Sequence, residues 1–325
     1  MDNQQPAKTD IMVQDAAKDF LLACRADGLK VSTMRWYRHM IKSFVTQMYG
    51  KRLLGITAPM IRLYVVDLRS RSKRYEKATQ RPEIEGGLSH ESMRDHITAL
   101  RRFFRWCWTE YNLEPTTNPM LKLRMPGRER KEPKAISIAD LERLLAACDD
   151  SPIGLRNEAM FRFLADTGCR LKGMLGLTRS NLYLQQGYAV VTEKYSRDRA
   201  VPFISSTAEA IEKWLAVRPL EGTMEYVFCS LSNRTLGHRL TEGGLHSILK
   251  QLKKQAAISG RINPHSFRHG FAREYLAAGG DLGTLSQIMG HSSVKVTVDS
   301  YAVFKDRDLA LFHAKHSPMR KVGKK

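Results

Sequence analysis

The chain has 325 residues, enough for about two domains, and its hydrophobic fraction of 42% is sufficient for packed cores. It carries 53 Lys and Arg against 33 Asp and Glu, and the net charge of +20 is shared equally between residues 1–133 and 134–325. No apolar run reaches the ~20 residues that span a bilayer, and the first ten residues lack a signal-peptide pattern, so we expect no membrane association.

An excess of positive charge in both halves favours a polyanionic partner, with nucleic acid as the leading candidate. The alternative is a generally basic soluble protein. The five scattered cysteines form no CxxC pair and fall mostly in apolar helical stretches. They are therefore expected to be reduced thiols packed in cores, which indicates a cytoplasmic protein.

The first half of the chain predicts a four-helix unit. Residues 31–49 and 89–111 place apolar side chains at i, i+3 and i+4, the pattern of an amphipathic helix, and 11–26 and 57–70 are also helical in pattern. Two of the helices carry basic stripes, formed by Arg35, Arg38 and Lys42 and by Arg94, Arg101 and Arg105. A basic stripe usually marks only a solvated face, but two of them in so basic a chain favour a DNA-binding surface.

Two polar stretches are predicted to lack regular structure. Residues 70–87 are interpreted as a long surface loop. Residues 116–136 are interpreted as a proline-rich, basic interdomain linker, in which Arg124 and Arg128 are candidate phosphate contacts. The predicted domains are therefore 1–115 and 137–325.

The second half predicts further helices and one small sheet. Residues 187–203 read as two short strands around a polar turn, with Arg197 and Arg199 as further candidate DNA contacts. The predicted helices begin at the capping-box-like "SIAD" of 137–140 and continue at about 155–166, 206–217, 241–257, 266–278, 281–289 and 305–314. The fold class is thus mainly α with a small antiparallel β-sheet.

"INPHSFRHGFARE" (262–274) brings His265, Arg268 and His269 to one side of a helix, because residues three and four apart are neighbours there. The i, i+4 histidines suggest zinc, but the fixed charge of Arg268 between them would repel the ion and no third ligand cluster is evident. We therefore expect no metal and no cofactor. A guanidinium with imidazole protons is instead suited to a phosphate.

Other segments of this half add similar chemistry in a fixed order. They are "DTGCRLKGMLGL" with Arg170, "EKYSRDRAVPF" with Lys194, "PHSFRHGF" with His265 and Arg268, and "IMGHSSVKVTVDSYAVF" with His291 and Tyr301. This ordered series resembles the tyrosine recombinases, the phage integrase family, and the resemblance covers nearly the whole chain. It implies an N-terminal helical core-binding domain and a C-terminal catalytic domain that form a C-shaped clamp on DNA.

The resemblance places the family's Arg–Lys–His–Arg–His–Tyr set on Arg170, Lys194, His265, Arg268, His291 and Tyr301. The residue types suit strand transfer: guanidiniums bind phosphate oxygens without a metal, and a phosphotyrosyl ester keeps the energy of the broken phosphodiester. Lys194 would protonate the leaving 5′-oxygen, although Arg197 and Arg199 share its hairpin and leave the identity of the acid open. His265 would deprotonate Tyr301 or hold a phosphate oxygen, and His291 would hydrogen-bond another.

Two features depart from the family pattern. Gly173 stands where an acidic residue that supports the site is usual, and the interval from His291 to Tyr301 is one residue longer than the commonest form. His269 is interpreted as a supporting residue or a helix-surface histidine.

The resemblance implies a cytoplasmic, nucleoid-associated, site-specific DNA recombinase that uses a 3′-phosphotyrosyl intermediate without metal or ATP. It would integrate, excise or resolve a mobile element or replicon. Its partners would be double-stranded DNA with a specific core site, three further subunits in a homotetramer on paired sites, and accessory DNA-bending proteins; in free solution it could be a monomer. Leu309 and Phe312 of the 305–314 helix would dock on a neighbouring subunit, or pack within their own. The alternatives are a type IB topoisomerase and a catalytically weak DNA-binding or architectural protein.

Overall fold

The chain divides into two compact units, Met1–Arg130 and Lys131–Lys325, and each unit has its own hydrophobic core. A computed structural model describes residues 11–71, 73–74, 84–127, 134–192, 198–219, 225–291, 293–301, 313–314 and 317. No helix within these ranges is long and apolar enough to cross a membrane.

The first unit contains the four predicted helices. They are α1 (Val13–Ala26), α2 (Val31–Gln47), α3 (Ala58–Ser70) and α4 (His90–Glu110). Their apolar faces meet around fully buried aromatic rings, with Phe20 edge-on to Phe103 at 5.6 Å and Phe44 edge-on to Phe104 at 5.7 Å between ring centroids. The opposite faces of these helices are left to their polar and charged residues.

Two stretches of this unit contain more structure than the sequence predicts. The predicted loop 70–87 contains an antiparallel pair, β1 (Lys73–Arg74) and β2 (Ile84–Glu85). The predicted linker begins with folded chain: 3-10 helices at Pro115–Thr117 and Pro119–Lys122 follow α4, and Met120, only 4% exposed, packs into the core. A single apolar anchor of this kind produces no periodic pattern.

The second unit is helical around a three-stranded antiparallel sheet of order β3–β4–β5, so the predicted fold class is confirmed. Its helices are α5 (Ile138–Ala146), α6 (Pro152–Thr167), α7 (Leu171–Leu175), α8 (Ser205–Val217), α9 (Glu242–Gln255), α10 (Pro264–Ala277), α11 (Leu282–Met289) and α12 (Val294–Tyr301). The strands are β3 (Leu182–Tyr183), β4 (Tyr188–Thr192) and β5 (Asp198–Pro202).

Helix α6 lies at the centre of this unit and packs against α8 and α10. Phe161 of α6 stacks on Phe267 of α10 at 5.9 Å between ring centroids. The predicted hairpin is present as β4 and β5, and β3 is an additional strand. All five cysteines are free thiols, and four of them are buried. The predicted helix 305–314, including Leu309 and Phe312, lies outside the described residues except for a helical 313–314.

Candidate active site

The frame of the site is built from two helix ends. Helices α6 and α11 both stop at a glycine in the left-handed conformation, Gly168 with φ 56° and Gly290 with φ 63°. Glycine adopts this conformation without the steric cost that a Cβ brings, and it commonly ends helices for that reason. Arg170 follows the first turn and His291 follows the second, so both turns deliver a candidate residue to the same place.

Arg268 of α10 connects the two helix ends. Its side chain is buried, with 6% of the residue exposed, and its guanidinium donates to the carbonyl oxygens of Gly168 and Met289 at 2.7 Å each. The last carbonyls of a helix have no partner within the helix and carry partial negative charge, so they are suitable acceptors for a cation. The two hydrogen bonds fix the plane of the guanidinium.

Arg170 binds the same end of α11. It is the N-cap residue of α7, and its Nη2 donates to the carbonyl oxygen of Gly290 at 3.2 Å. Burial lowers the pKa of Arg268 to about 10, and the neighbouring charge of Arg170 adds to this effect. Burial also lowers the pKa of Arg170, followed by the charge of Arg199. The two predicted phosphate-binding arginines are therefore brought together.

Arg199 belongs to the same cluster. It pairs with Val191 across β4 and β5, two residues before the fully buried Val201, so strand alternation turns it toward the core face. Its Nε and Cδ lie against Gly290, at 2.6 and 2.9 Å from the position where a Cβ would stand. The sequence analysis gave Arg199 as a candidate DNA contact, and the structure places it beside the site arginines Arg170 and Arg268. The alternation with Val201 was the signal that could have shown this.

Tyr301 ends helix α12 with its ring packed on a small cluster formed by α10 and α11. Its hydroxyl shares a 2.8 Å hydrogen bond with Nδ1 of His269. Burial raises the pKa of Tyr301, while the charges of Arg268 and Arg170 act in the opposite direction. The phenol is thus a protonated group close to two guanidiniums.

His291 lies beside Tyr301, with the two rings nearly parallel at 7° and their centroids 6.4 Å apart. Its Nδ1 shares a 2.6 Å hydrogen bond with the hydroxyl of Thr297, which is fully buried in α12. Burial lowers the pKa of His291 to about 4, assisted by the charges of Arg268, Arg170 and Arg199. The imidazole is therefore neutral at pH 7.

The two histidines of α10 differ in their surroundings. His265 is exposed, and its ring centroid is 6.5 Å from that of His269. His269 is half-buried, and burial followed by the charges of His265 and Arg268 lowers its pKa. The sequence analysis interpreted His269 as a supporting residue or a helix-surface histidine. In the structure it is His269 whose ring nitrogen is hydrogen-bonded to Tyr301.

Two predicted site residues of the β4–β5 hairpin fall outside the part of the chain that the structure describes. Lys194 and Arg197 lie between Thr192 and Asp198, the ends of the two strands of the hairpin. These ends are joined by a 2.6 Å hydrogen bond from Thr192 Oγ1 to Asp198 Oδ1.

Gly173, at the usually acidic position, is buried in α7, and a Cβ on it would stand 3.2 Å from Cβ of Val191. The space that a longer side chain would enter is therefore occupied by β4. Among the described residues, no group of three or more His, Cys, Asp or Glu could hold a metal ion.

The candidate DNA contacts of the first unit fall into two groups. The exposed group comprises Arg35, Arg38, Lys42, Arg105 and Arg124, and Arg128 lies outside the described residues. Arg94 and Arg101 are half-buried instead, and they donate to the carbonyl oxygens of Pro126 and Leu123, the latter at 2.5 Å. These two arginines therefore tie the segment after α4 to its own unit.

Comparison with known proteins adds independent findings. The phage integrase family matches residues 134–307. The tyrosine recombinase XerC of Natranaerobius thermophilus is 31% identical over 246 residues, covering 74% of this chain and 77% of the relative. XerD of Listeria monocytogenes is 28% identical over 298 residues, covering 88% and 93% of the two chains. The Tn1549 transposon integrase, solved in complex with transposon right end DNA, has the same fold, with a TM-score of 0.72 at 15% identity over 92% of this chain and 98% of that one.

Proposed function

The chain belongs to the phage integrase family of tyrosine recombinases, and on that premise we propose that it cuts and rejoins DNA at a specific core site through a covalent 3′-phosphotyrosyl intermediate. The observation that carries this proposal is the gathering of Tyr301 with Arg170 and Arg268. The charges of the two arginines lower the pKa of the Tyr301 phenol against the effect of burial, so the three residues lie close together. They come from separate segments of the chain.

The arginines form the phosphate-binding part of the proposed site. A guanidinium stays charged at neutral pH and presents its N–H groups in a planar fork that matches phosphate oxygens. Arg268 uses part of that fork for main-chain carbonyls, and its orientation is therefore set before DNA arrives. Charge that develops on the non-bridging oxygens in the transition state would meet preorganised donors, and stabilisation of this kind is usually the largest single contribution to catalysis. Arg199 adds a further positive charge to this surface.

Tyr301 is the proposed nucleophile. Its oxygen would attack phosphorus as the bond to the 5′-oxygen breaks, and Lys194 is the proposed donor of the proton that the 5′-oxygen takes up. His291, neutral and held by Thr297, would hydrogen-bond a phosphate oxygen. His265, the exposed residue in the first turn of α10, would contact the phosphate. The phosphotyrosyl bond keeps the energy needed for rejoining, so the reaction would require neither ATP nor a metal.

The proposed partners follow from the charge and from the family. Double-stranded DNA would lie against the exposed cations of α2 and α4, and the enzyme would act in the cytoplasm on paired core sites as a homotetramer. Integration, excision or resolution of a mobile element or replicon is the proposed setting, with accessory DNA-bending proteins as further partners.

The test is a covalent adduct. On nicked suicide substrates taken from DNA that flanks the encoding gene, the wild-type protein should form a complex that survives denaturing electrophoresis, with or without EDTA. Tyr301→Phe should bind the same DNA and form none, because the attacking oxygen is absent. Adducts that persist in Tyr301→Phe would exclude this residue as the nucleophile. Relaxation of supercoils at no specific site would indicate a topoisomerase instead.

A further inference from the structure

We propose that His269, rather than His265, accepts the proton of Tyr301 during strand cleavage, an inference that rests on the proposed function. Its basis is contact: the hydroxyl of Tyr301 and Nδ1 of His269 are 2.8 Å apart, within the range from which a base can take a proton directly. Among the described residues, His269 is the titratable group to which this hydroxyl is hydrogen-bonded.

The position of His269 is fixed by the start of its helix. Helix α10 begins with a capping box in which the side chains of Asn263 and Ser266 each accept from the other residue's backbone N–H, at 3.0 Å in both directions. The carbonyl of Ser266 also accepts from the backbone N–H of Ile136 at 3.0 Å. Arg268 and His269 follow Ser266 by two and three residues on this anchored part of the helix. The phosphate-binding arginine and the proposed base are therefore adjacent on one rigid element.

The nucleophile is held on the same element. The ring of Tyr301 packs against the cluster that includes Ala272 and Leu276 of α10, and its centroid is 5.5 Å from that of His269. Contact along both the ring and the hydroxyl limits the directions in which the phenol can turn. The hydrogen bond to His269 is thus supported by packing.

The two other histidines are less suited to this role. His265 is exposed, and its ring centroid is 6.5 Å from the ring of His269. His291 already uses Nδ1 for Thr297, and its ring lies parallel to that of Tyr301 with the centroids 6.4 Å apart. In that orientation the His291 ring is stacked alongside the phenol. Neither His265 nor His291 makes the contact with the Tyr301 hydroxyl that His269 makes.

The proposed step balances as follows. His269 is neutral, with its proton on Nε2, and Nδ1 accepts the hydrogen bond from Tyr301. As the bond between the tyrosine oxygen and phosphorus forms, the phenolic proton moves to Nδ1 and His269 becomes an imidazolium. The bond between phosphorus and the 5′-oxygen breaks with its electron pair on that oxygen, which takes a proton from the acid that we assign to Lys194. Rejoining is the reverse, and His269 returns the proton to Tyr301.

The first experiment compares three histidine variants in single-turnover cleavage of a suicide substrate at saturating DNA. His269→Gln should lower the rate roughly 100-fold or more, the usual contribution of a general base. His246→Gln, on the exposed side of α9, is the matched control and should cleave at the wild-type rate. A 5′-phosphorothiolate substrate has a leaving group that needs no proton, so it replaces only the role of the acid. His269→Gln should therefore remain slow on this substrate. His265→Gln should also remain slow on it if His265 contacts the phosphate.

The second experiment separates proton transfer from support of the structure. A fluorinated tyrosine at position 301 ionises at lower pH, so it should restore most of the rate lost in His269→Gln and little of that lost in His265→Gln. If His269→Gln fails to fold, the two methylhistidines at 269 make the same comparison. Nε2-methylhistidine keeps the Nδ1 acceptor and should be active, whereas Nδ1-methylhistidine should not.

The outcomes distinguish the two proposals. Absence of any adduct with the wild-type protein, or its persistence in Tyr301→Phe, would overturn the proposed function. Adducts that depend on Tyr301 but form in His269→Gln at the wild-type rate would overturn the assignment of His269 alone. A slow His269→Gln that fluorotyrosine does not restore would assign His269 a structural role and would also overturn the proposal.

Discussion

Two opposing effects act on the pKa of Tyr301, and their balance determines how much help the phenol needs to lose its proton. Burial raises the pKa of the phenol, and the guanidiniums of Arg268 and Arg170 lower it without reversing the effect. When a phosphate binds the same arginines, its negative charge will offset part of their influence on the phenol. In the proposed cleavage step, removal of the phenolic proton therefore has to accompany attack, which is why a neutral imidazole in contact with the hydroxyl is significant.

His291 makes a prediction for stability. Its pKa in the folded protein is about 4, whereas an imidazole in the unfolded chain has a pKa of about 6.5. Between these values the unfolded chain binds a proton at this residue and the folded protein does not, so the free energy of unfolding must fall as the pH falls through this window. In His291→Gln the contribution is absent. Urea unfolding at pH 6.5 and at pH 5 should therefore show a smaller decrease in the variant than in the wild type.

This comparison uses the difference between two pH values, so any constant cost of the substitution cancels. His246→Gln again serves as a control, because His246 is exposed on α9. An equal decrease in the wild type and in His291→Gln would mean that the half-buried imidazole does not resist protonation.

At the scale of secondary structure, the left-handed end of α6 connects stability to the site. A Cβ on Gly168 would collide with the ring of Phe271, and the carbonyl of the same glycine accepts from Arg268. Gly168→Ala would carry the ~1–2 kcal/mol of a left-handed alanine in addition to that collision. We expect the free energy of unfolding to fall by about 2 kcal/mol or more, and cleavage to slow as Arg268 loses its anchor.

Gly28 provides the matched control for this substitution. It has a similar φ of 69°, but nothing lies within 4 Å of the position of its Cβ. Gly28→Ala, followed through the unfolding of the first unit, should show only the conformational cost. If both substitutions lower the free energy of unfolding equally, the collision of the added Cβ at position 168 with Phe271 does not contribute to the loss.

The elements that the sequence predicted are those with enough length to show a period. Helices α1 to α4 each repeat an apolar face over 13 residues or more, and all four were predicted. Strands β1 and β2 have two residues each and α7 has five, which is too short for any pattern. Helix α12 is a different case: its β-branched residues Val294, Val296 and Val298 alternate as in a strand. Contacts beyond the segment, such as Thr297 with His291, favour the helix.

The same limit applies to the site. Motif order predicted Arg170, Arg268 and Tyr301 as site residues, and the structure brings these three together. The contact of His269 with Tyr301 and the inward position of Arg199 depend on how helix ends and strand faces meet. Packing of this kind joins residues far apart in the chain, and a single sequence does not report it.

The charge of the whole molecule predicts steep salt dependence of DNA binding. Each phosphate that a Lys or Arg neutralises releases condensed counterions, so the logarithm of the affinity should fall linearly with the logarithm of the salt concentration. Arg35 and Arg38 are exposed on α2. Replacing both by Ala should reduce the slope by about 2, at roughly one unit per phosphate contact, in fluorescence anisotropy titrations.

Lys213, exposed on α8, is the control for this experiment. Lys213→Ala should leave the slope as it is in the wild type. Binding that hardly changes between low and moderate salt would rule out the α2 surface as a phosphate contact. Arg94 and Arg101 are unsuitable for the same test, because each also holds a main-chain carbonyl of its own unit.

The guanidinium of Arg268 donates hydrogen bonds to the main-chain carbonyl oxygens of Gly168 and Met289. In the described part of the chain, no Asp or Glu is among the charged groups that shift its pKa. An arginine paired with an acid changes the net charge of the pair whenever that acid titrates. Amide oxygens have no such equilibrium near neutrality, so the attraction that this residue offers to a phosphodiester is the same in mildly acidic and mildly alkaline buffer. If the proposed mechanism holds, the pH profile of cleavage should consequently report the phenol, the imidazoles and the lysine, while the charge of this guanidinium stays constant.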